Sequence, residues 1–167
     1  DVQVRPDLIG LLVSRGNLLI GDGLALRPGR VEALLHHEVG THVLTWFNGS
    51  TQPLRQLCTG LAGYDELQEG LAVLSEYLAG GLDRTRLRVL AARVLAVHSV
   101  EDGADFMETF RLLTREHGFY AGTAFDIAER VHSAGGFTRD GIYLRGLIRL
   151  VEYLRADGEL EPLYIGK

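Results

Sequence analysis

Cysteine is almost missing from this chain. The single residue, Cys58, leaves no internal disulfide to form and favours a reducing, cytoplasmic setting. With no adjacent catalytic partner in the sequence, Cys58 reads as a small buried hydrophobe and not as a nucleophile. Long apolar runs are missing too: none reaches the roughly 18 residues that a membrane span needs, so no membrane partner is expected. Nor is there an excess of positive charge. Lys and Arg number 17 against 22 Asp and Glu, a formal net charge of -5, with no long block of one sign. Nucleic acid is therefore not an expected partner. Proline occurs four times, and the 21 glycines are scattered at element ends, so neither builds a linker or a low-complexity tract. Asn48-Gly49-Ser50 fits a glycosylation acceptor but reads more simply as a turn.

What is present describes an ordinary folded domain. Over 167 residues, 46% are hydrophobic and 23% charged, enough for a real core and far from disordered compositions. Residues 1–167 are expected to form a single catalytic domain, as a fragment of a longer protein. Val2 and Val4 flank Gln3 before Pro6-Asp7 breaks the run. Leu11-Leu12-Val13 and Leu18-Leu19-Ile20, separated by Ser14-Arg15-Gly16-Asn17, predict a β-hairpin. Thereafter the pattern is helical. One helix is predicted from Pro28 or Val31 to Phe47, ending at Asn48-Gly49, with Trp46 and Phe47 packing it on the core. A second is predicted to start at a capping box of Asp65 and Gln68 and to end at Gly80-Gly81. Further helices are expected around Leu87–Val97, Phe106–Leu113, Phe125–Val131 before Gly135-Gly136, and Asp140–Leu154. Leu163-Tyr164-Ile165 resembles a short strand. The fold class is α+β, mostly helical, with a small N-terminal hairpin or sheet.

The chemistry concentrates in two places. In His37-Glu38-Val39-Gly40-Thr41-His42 two imidazoles stand five apart, with a carboxylate directly after the first. An undistorted helix turns about 100° per residue and would splay them by roughly 140°. Chelation of one ion requires an extra residue in that turn, as in a π-bulge, a distortion found mostly at functional sites. Gly40 lies where such a distortion is easiest. Two unrelated helix histidines are the plain alternative, and His36 is a weaker third candidate. On the next helix, Gln68-Glu69-Gly70-Leu71-Ala72 offers a carboxylate as third ligand, leaving a fourth position open. Glu76, seven residues on, shares that face. Gly70, costly inside a helix by about 1 kcal/mol, marks close packing or a ligand and favours Glu69.

The two segments together, Leu35-His36-His37-Glu38-Val39-Gly40-Thr41-His42 and then Gly60 through Ala72, resemble one family. Its bacterial members are named after the Gln-Glu-Gly-Leu-Ala motif. Its animal members are the microtubule-associated tyrosine carboxypeptidases, which remove the terminal tyrosine of α-tubulin. The similarity extends to Gly135-Gly136-Phe137-Thr138-Arg139-Asp140 and Tyr143-Leu144. The resemblance implies a zincin-like metallopeptidase domain in which His37, His42 and Glu69 hold zinc and Glu38 is the catalytic acid/base. It covers only the carboxyl-side, catalytic part of those longer proteins.

A carboxypeptidase of this kind needs a cation for the terminal carboxylate of its peptide or protein substrate. Arg139, before a helix start, is the candidate for that task, and Tyr143 for oxyanion stabilisation or substrate contact, with Tyr64 as a rival. Their ordinary readings are a surface charge and a core aromatic. Other open readings are an endopeptidase or other zinc amide hydrolase, and a non-catalytic metal-binding regulatory module. Manganese, cobalt or iron in place of zinc also stays open, as does the oligomeric state.

Overall fold

A computed structural model describes residues 1–133 and 137–167, with side chains described for all of these except 137 and 138. The predicted Gly135-Gly136 helix break lies outside the described residues. The chain is α+β and mostly helical, with one small N-terminal sheet, as its patterning predicts. Cα proximity groups it into two compact units, residues 1–83 with 146–167, and residues 84–145.

In the first unit, strands β1 (Val2–Arg5), β2 (Leu11–Ser14) and β3 (Asn17–Gly21) lie in the order β1-β3-β2. The predicted hairpin is β2–β3, antiparallel, with Leu11 opposite Ile20 and Ser14 opposite Asn17. Its two-residue turn has positive φ at both Arg15 (50°) and Gly16 (75°), which the right-handed strand twist demands of a tight hairpin. β1 runs parallel to β3, with Val2 opposite Leu18, and is exposed along its whole length. A Cβ on Gly16 would run into the six-membered ring of Trp46. The glycine therefore serves the turn and also seats the hairpin on the helix that follows.

That helix is continuous but not uniform. α1 (Pro28–His37) begins with proline in its first turn, passes into a π-helical stretch, Glu38–Val43, and resumes as α2 (Leu44–Ser50). Asn48-Gly49-Ser50 is thus the end of a helix and not a turn: Gly49 is buried, and a Cβ there would strike the Leu57 carbonyl of the short α3 (Gln56–Thr59). Trp46 is partly buried, whereas Phe47, expected in the core, is half exposed. Cys58 is partly exposed on α3.

α4 (Tyr64–Leu78) carries the longest buried stretch, Gln68 to Val73, followed by Ser75 and Glu76. Asp65 does not cap it. Gly63, with φ 82°, stands at the N-cap without a side-chain bond, and Asp65 falls inside the first turn, where its charge favours the helix dipole. Gly70 marks close packing, as its cost inside a helix suggests: a Cβ there would lie 2.5 Å from the carbonyl carbon of Gly146 on α8 (Phe137–Arg155). The predicted terminal strand is a 3-10 turn, Glu161–Tyr164. Pro162 at its start and the bonds Leu163 N to Leu160 O (3.1 Å) and Ile165 N to Pro162 O (3.2 Å) close the backbone locally. A three-residue apolar run does not distinguish the two forms.

The second unit is built from α5 (Arg84–Glu101), α6 (Phe106–Arg111), a π-turn at Leu112–Glu116, α7 (Ala121–His132) and the first part of α8. Asp105 caps α6 through a reciprocal bond with Glu108, both at 2.8 Å. Ala92, Ala96, Val97, Leu113, Ala124, Ile127 and Val131 make its core. Among the described residues, no helix is long and apolar enough to cross a membrane.

Candidate metal centre

The π-helical stretch places the motif histidines. An i→i+5 backbone pattern takes one more residue per turn than an α-helix, so side chains five apart return to one face. The rings of His37 and His42 meet edge-on with centroids 5.2 Å apart. Gly40 is not what permits this. Its φ is not positive, and a Cβ there would meet only His36, with Nδ1 at 3.6 Å, an ordinary contact. The distortion is held instead by polar contacts of the threonines. Buried Thr41 donates to Ser75 Oγ at 3.3 Å, and buried Thr45 donates to the Thr41 carbonyl at 2.8 Å.

Opposite the histidines stands Glu69, on the buried face of α4. Its Oε2 lies 3.6 Å from His37 Nε2 and 3.7 Å from His42 Nε2. Both distances are too long for a hydrogen bond, and Oε2 is buried without a hydrogen-bond partner. An orphaned carboxylate oxygen facing two imidazole nitrogens suits a cation between them. Ligands about 2.0–2.2 Å from a tetrahedral zinc are separated by about 3.4 Å, close to what these atoms already show. His37, His42 and Glu69 thus form a group that could hold a metal ion.

Behind these three side chains lies a second set of contacts. Glu76, fully buried, accepts from His37 Nδ1 at 2.8 Å, and its other oxygen pairs with Arg30 Nη2 at 2.9 Å. Glu76 therefore engages the ring nitrogen opposite Glu69: it orients His37 and leaves Nε2 towards the cluster. Arg30 also donates to the Gly81 carbonyl at 2.7 Å. Gln68 Oε1 lies 2.8 Å from Thr45 Oγ1 and 3.5 Å from His42 Nδ1. Sequence reasoning does not single out Arg30, Thr45 or Gln68 as site residues. The signal for Gln68 is present in the motif itself, as a polar side chain on the buried face directly before Glu69.

The charges interact strongly. Burial by itself would lower His37, but the carboxylates of Glu69, Glu76 and Glu38 raise its pKa to about 9. Burial would raise Glu69, yet the two imidazoles lower it to about 2. Glu38, partly buried, is raised above the ordinary carboxylate range, chiefly by desolvation; the histidines oppose this, and Glu69 and Glu76 add to it. His36 is exposed and lies outside the group.

Arg139 and Tyr143 lie on α8 in the second unit. Arg139 is exposed; Tyr143 is partly buried, with the Arg93 guanidinium 5.8 Å from its ring centre. Tyr64, the rival candidate, packs its ring against Gly60, where a Cβ would collide with it.

The chain is mostly helical and α+β, and it brings His37, His42 and Glu69 together as a group that could hold a metal ion. It belongs to the microtubule-associated tyrosine carboxypeptidase family, whose model matches residues 1–167. The chain is 28% identical over 171 residues to mouse Microtubule-associated tyrosine carboxypeptidase 1, an alignment covering 91% of this chain and 35% of the mouse protein. It thus spans about a third of the length of that curated relative.

Proposed function

We propose that this chain carries the catalytic centre of a zinc-dependent, zincin-like carboxypeptidase that releases a C-terminal residue, tyrosine foremost, from a peptide or protein in the cytoplasm. The observation that carries this reading is the approach of His37 Nε2, His42 Nε2 and the orphaned Glu69 Oε2, with Glu38 directly after the first histidine. The family's activity and the name of the mouse relative support the choice of a tyrosine-bearing C-terminus.

A zinc ion held there supplies a Lewis acid for the scissile carbonyl and brings the pKa of water near 7. His37 and His42 would hold it through Nε2 and Glu69 through Oε2. Glu76 accepts the Nδ1 proton of His37 and so fixes which nitrogen faces the ion. Glu38 accepts a proton from the attacking water at its carboxylate and passes it to the leaving amine. Its raised pKa serves the second half of that exchange. Arg139 and Tyr143 stand as candidates for the substrate carboxylate and the oxyanion. Three protein ligands, with a free carboxylate beside them, favour catalysis over a closed structural site, which usually has four.

The test is metal content together with turnover. Purified protein should hold about one zinc per chain, and His42→Ala and Glu69→Ala should lose it. Glu38→Gln should keep the zinc and lose release of tyrosine from a tyrosine-terminated peptide. Metal retained by both ligand variants would sink the assignment.

A further inference from the structure

An exopeptidase must hold the free carboxylate at the end of its substrate, and the metal-bearing unit contains a cation that the sequence motifs do not include. Lys167 is the one lysine among 17 basic residues. Its main chain is pinned on both sides. Its N–H donates to the Leu57 carbonyl of α3 at 2.8 Å, and its own carbonyl accepts from Leu61 N at 3.3 Å, in the turn leading into α4. The residues before it are tied to the other ligand-bearing helix. Asn48 Nδ2, at the end of α2, donates to the Tyr164 carbonyl at 2.9 Å. A Cβ on Gly166 would lie 2.7 Å from Leu57 Cβ and 3.3 Å from Gly49 Cα, so the backbone runs closely over α2 and α3.

This strap fixes the base of a long side chain near the helix that carries His42 and the entry to the helix that carries Glu69. The side chain is partly buried, and Cys58 first, then Glu69, Asp65 and Glu38, act electrostatically on its ammonium. Burial outweighs them and lowers its pKa below the usual lysine value. No described carboxylate forms an ion pair with it. A partly desolvated ammonium in the field of the metal centre, without an ion-pair partner of its own, is suited to an incoming anion.

We propose that the Lys167 ammonium binds the C-terminal carboxylate of the substrate. This rests on the carboxypeptidase reading and makes Lys167 the specificity-determining residue of that reaction. It assigns to the tail strap the task for which Arg139 was the sequence candidate. A lysine offers the carboxylate a compact point charge, not the bidentate fork of an arginine. What Lys167 recognises is therefore the charge of the terminal carboxylate.

The experiment uses the zinc-loaded Glu38→Gln protein, so that ligand binds without turnover. The probes are a fluorophore-labelled pentapeptide ending in tyrosine with a free carboxylate, and the same peptide as its C-terminal amide. Fluorescence anisotropy should show the acid bound more tightly than the amide. Adding Lys167→Met should weaken the acid by roughly 10- to 150-fold, the range for losing a charged hydrogen bond, and leave the amide unchanged. Lys167→Arg should restore most of the preference. The anchoring contacts are main-chain, so the methionine variant should melt with its parent.

Three results overturn the proposal. One is an acid preference that Lys167→Met leaves intact. Another is a loss shared equally by acid and amide, which marks a structural role. The third is equal binding, or no binding, of acid and amide by the protein with Lys167 in place. Failure of the carboxypeptidase reading shows elsewhere, as no tyrosine released by the zinc-loaded protein with Glu38 intact.

Discussion

Substituting alanine for Gly146 would bring its methyl carbon into the carbonyl oxygen of Glu66 and within 3.1 Å of Gly70 N. The obstacle is helix backbone, which cannot rotate out of the way as a side-chain tip can. Alanine gains about 1 kcal/mol over glycine in helix propensity. Overpacking costs about 1–3 kcal/mol. Against rigid backbone the cost falls in the upper part of that range, about 2–3 kcal/mol, so the clash wins by a net of about 1–2 kcal/mol. At about 2–4 °C per kcal/mol for a chain of this size, melting should fall by about 2–8 °C. Gly29→Ala is the internal control. Gly29 lies in α1, and a Cβ there would have nothing within 4 Å, so its substitution should be neutral or stabilising by up to about 1 kcal/mol. Thermal melting followed by far-ultraviolet circular dichroism compares the two. Because α4 must give way, zinc affinity should fall in Gly146→Ala, although residue 146 ligates nothing. Melting of Gly146→Ala at or above the parent's temperature would refute the reasoning that two glycines set the distance between α4 and α8.

Other expectations follow from the centre itself. Glu76→Gln should weaken zinc binding by about 10- to 100-fold in chelator competition, since the partner that orients His37 is altered; unchanged affinity would contradict that role. Gly40→Ala should keep both zinc and stability, since its Cβ meets only an ordinary contact; loss of metal would mean that the π-helical stretch does need glycine. In metal-free protein, His37 is raised from 6.5 to about 9, so its contribution to stability is complete below pH 6.5 and is lost as pH rises through 9. Glu69 is lowered from 4.5 to about 2, so its contribution is present above pH 4.5 and is lost as pH falls through 2. Chelated protein should therefore melt highest between about pH 4.5 and 6.5, and a melting temperature that climbs from about pH 6.5 to 9 would refute the assignment. Leu113→Ala, in the core of the second unit, should cost about 2–5 kcal/mol in denaturant unfolding.

Much of the site was legible because its signals are local. A five-residue spacing between His37 and His42 has few ways to chelate, and the π-helical turn it called for is present at Glu38–Val43. The hairpin was legible from two apolar runs around a Gly-Asn turn, although the positive φ values fall on Arg15 and Gly16 and not on Asn17. Less could be read where partners lie far apart in sequence. The local pointer to Glu69 over Glu76 was Gly70, which packs against Gly146; the two carboxylates are separated in the structure by which nitrogen of His37 each one faces. Arg30 pairs with a residue 46 positions away, so its role depends on the packing of α1 on α4. Gly63 displaced Asp65 as cap because a left-handed residue leads the chain into α4, a backbone preference that outweighs a side-chain bond.

The extra residue in the π-helical stretch has a consequence beyond the ligands. Removing one residue between His37 and His42 would recover the four-residue spacing of an unbroken α-helix, and both imidazoles would still share a face. The π-helical turn absorbs the inserted residue, so the chain after it would keep its phase relative to α1, and Trp46 would stay on the seat that Gly16 provides. Chelation and sheet docking are thus phased together: each tolerates the loss of the residue provided that the turn reverts to α-helix with it. A shortened motif would keep β2 and β3 docked and its histidines paired, and would give up only the polar contacts that Thr41 makes from the widened turn.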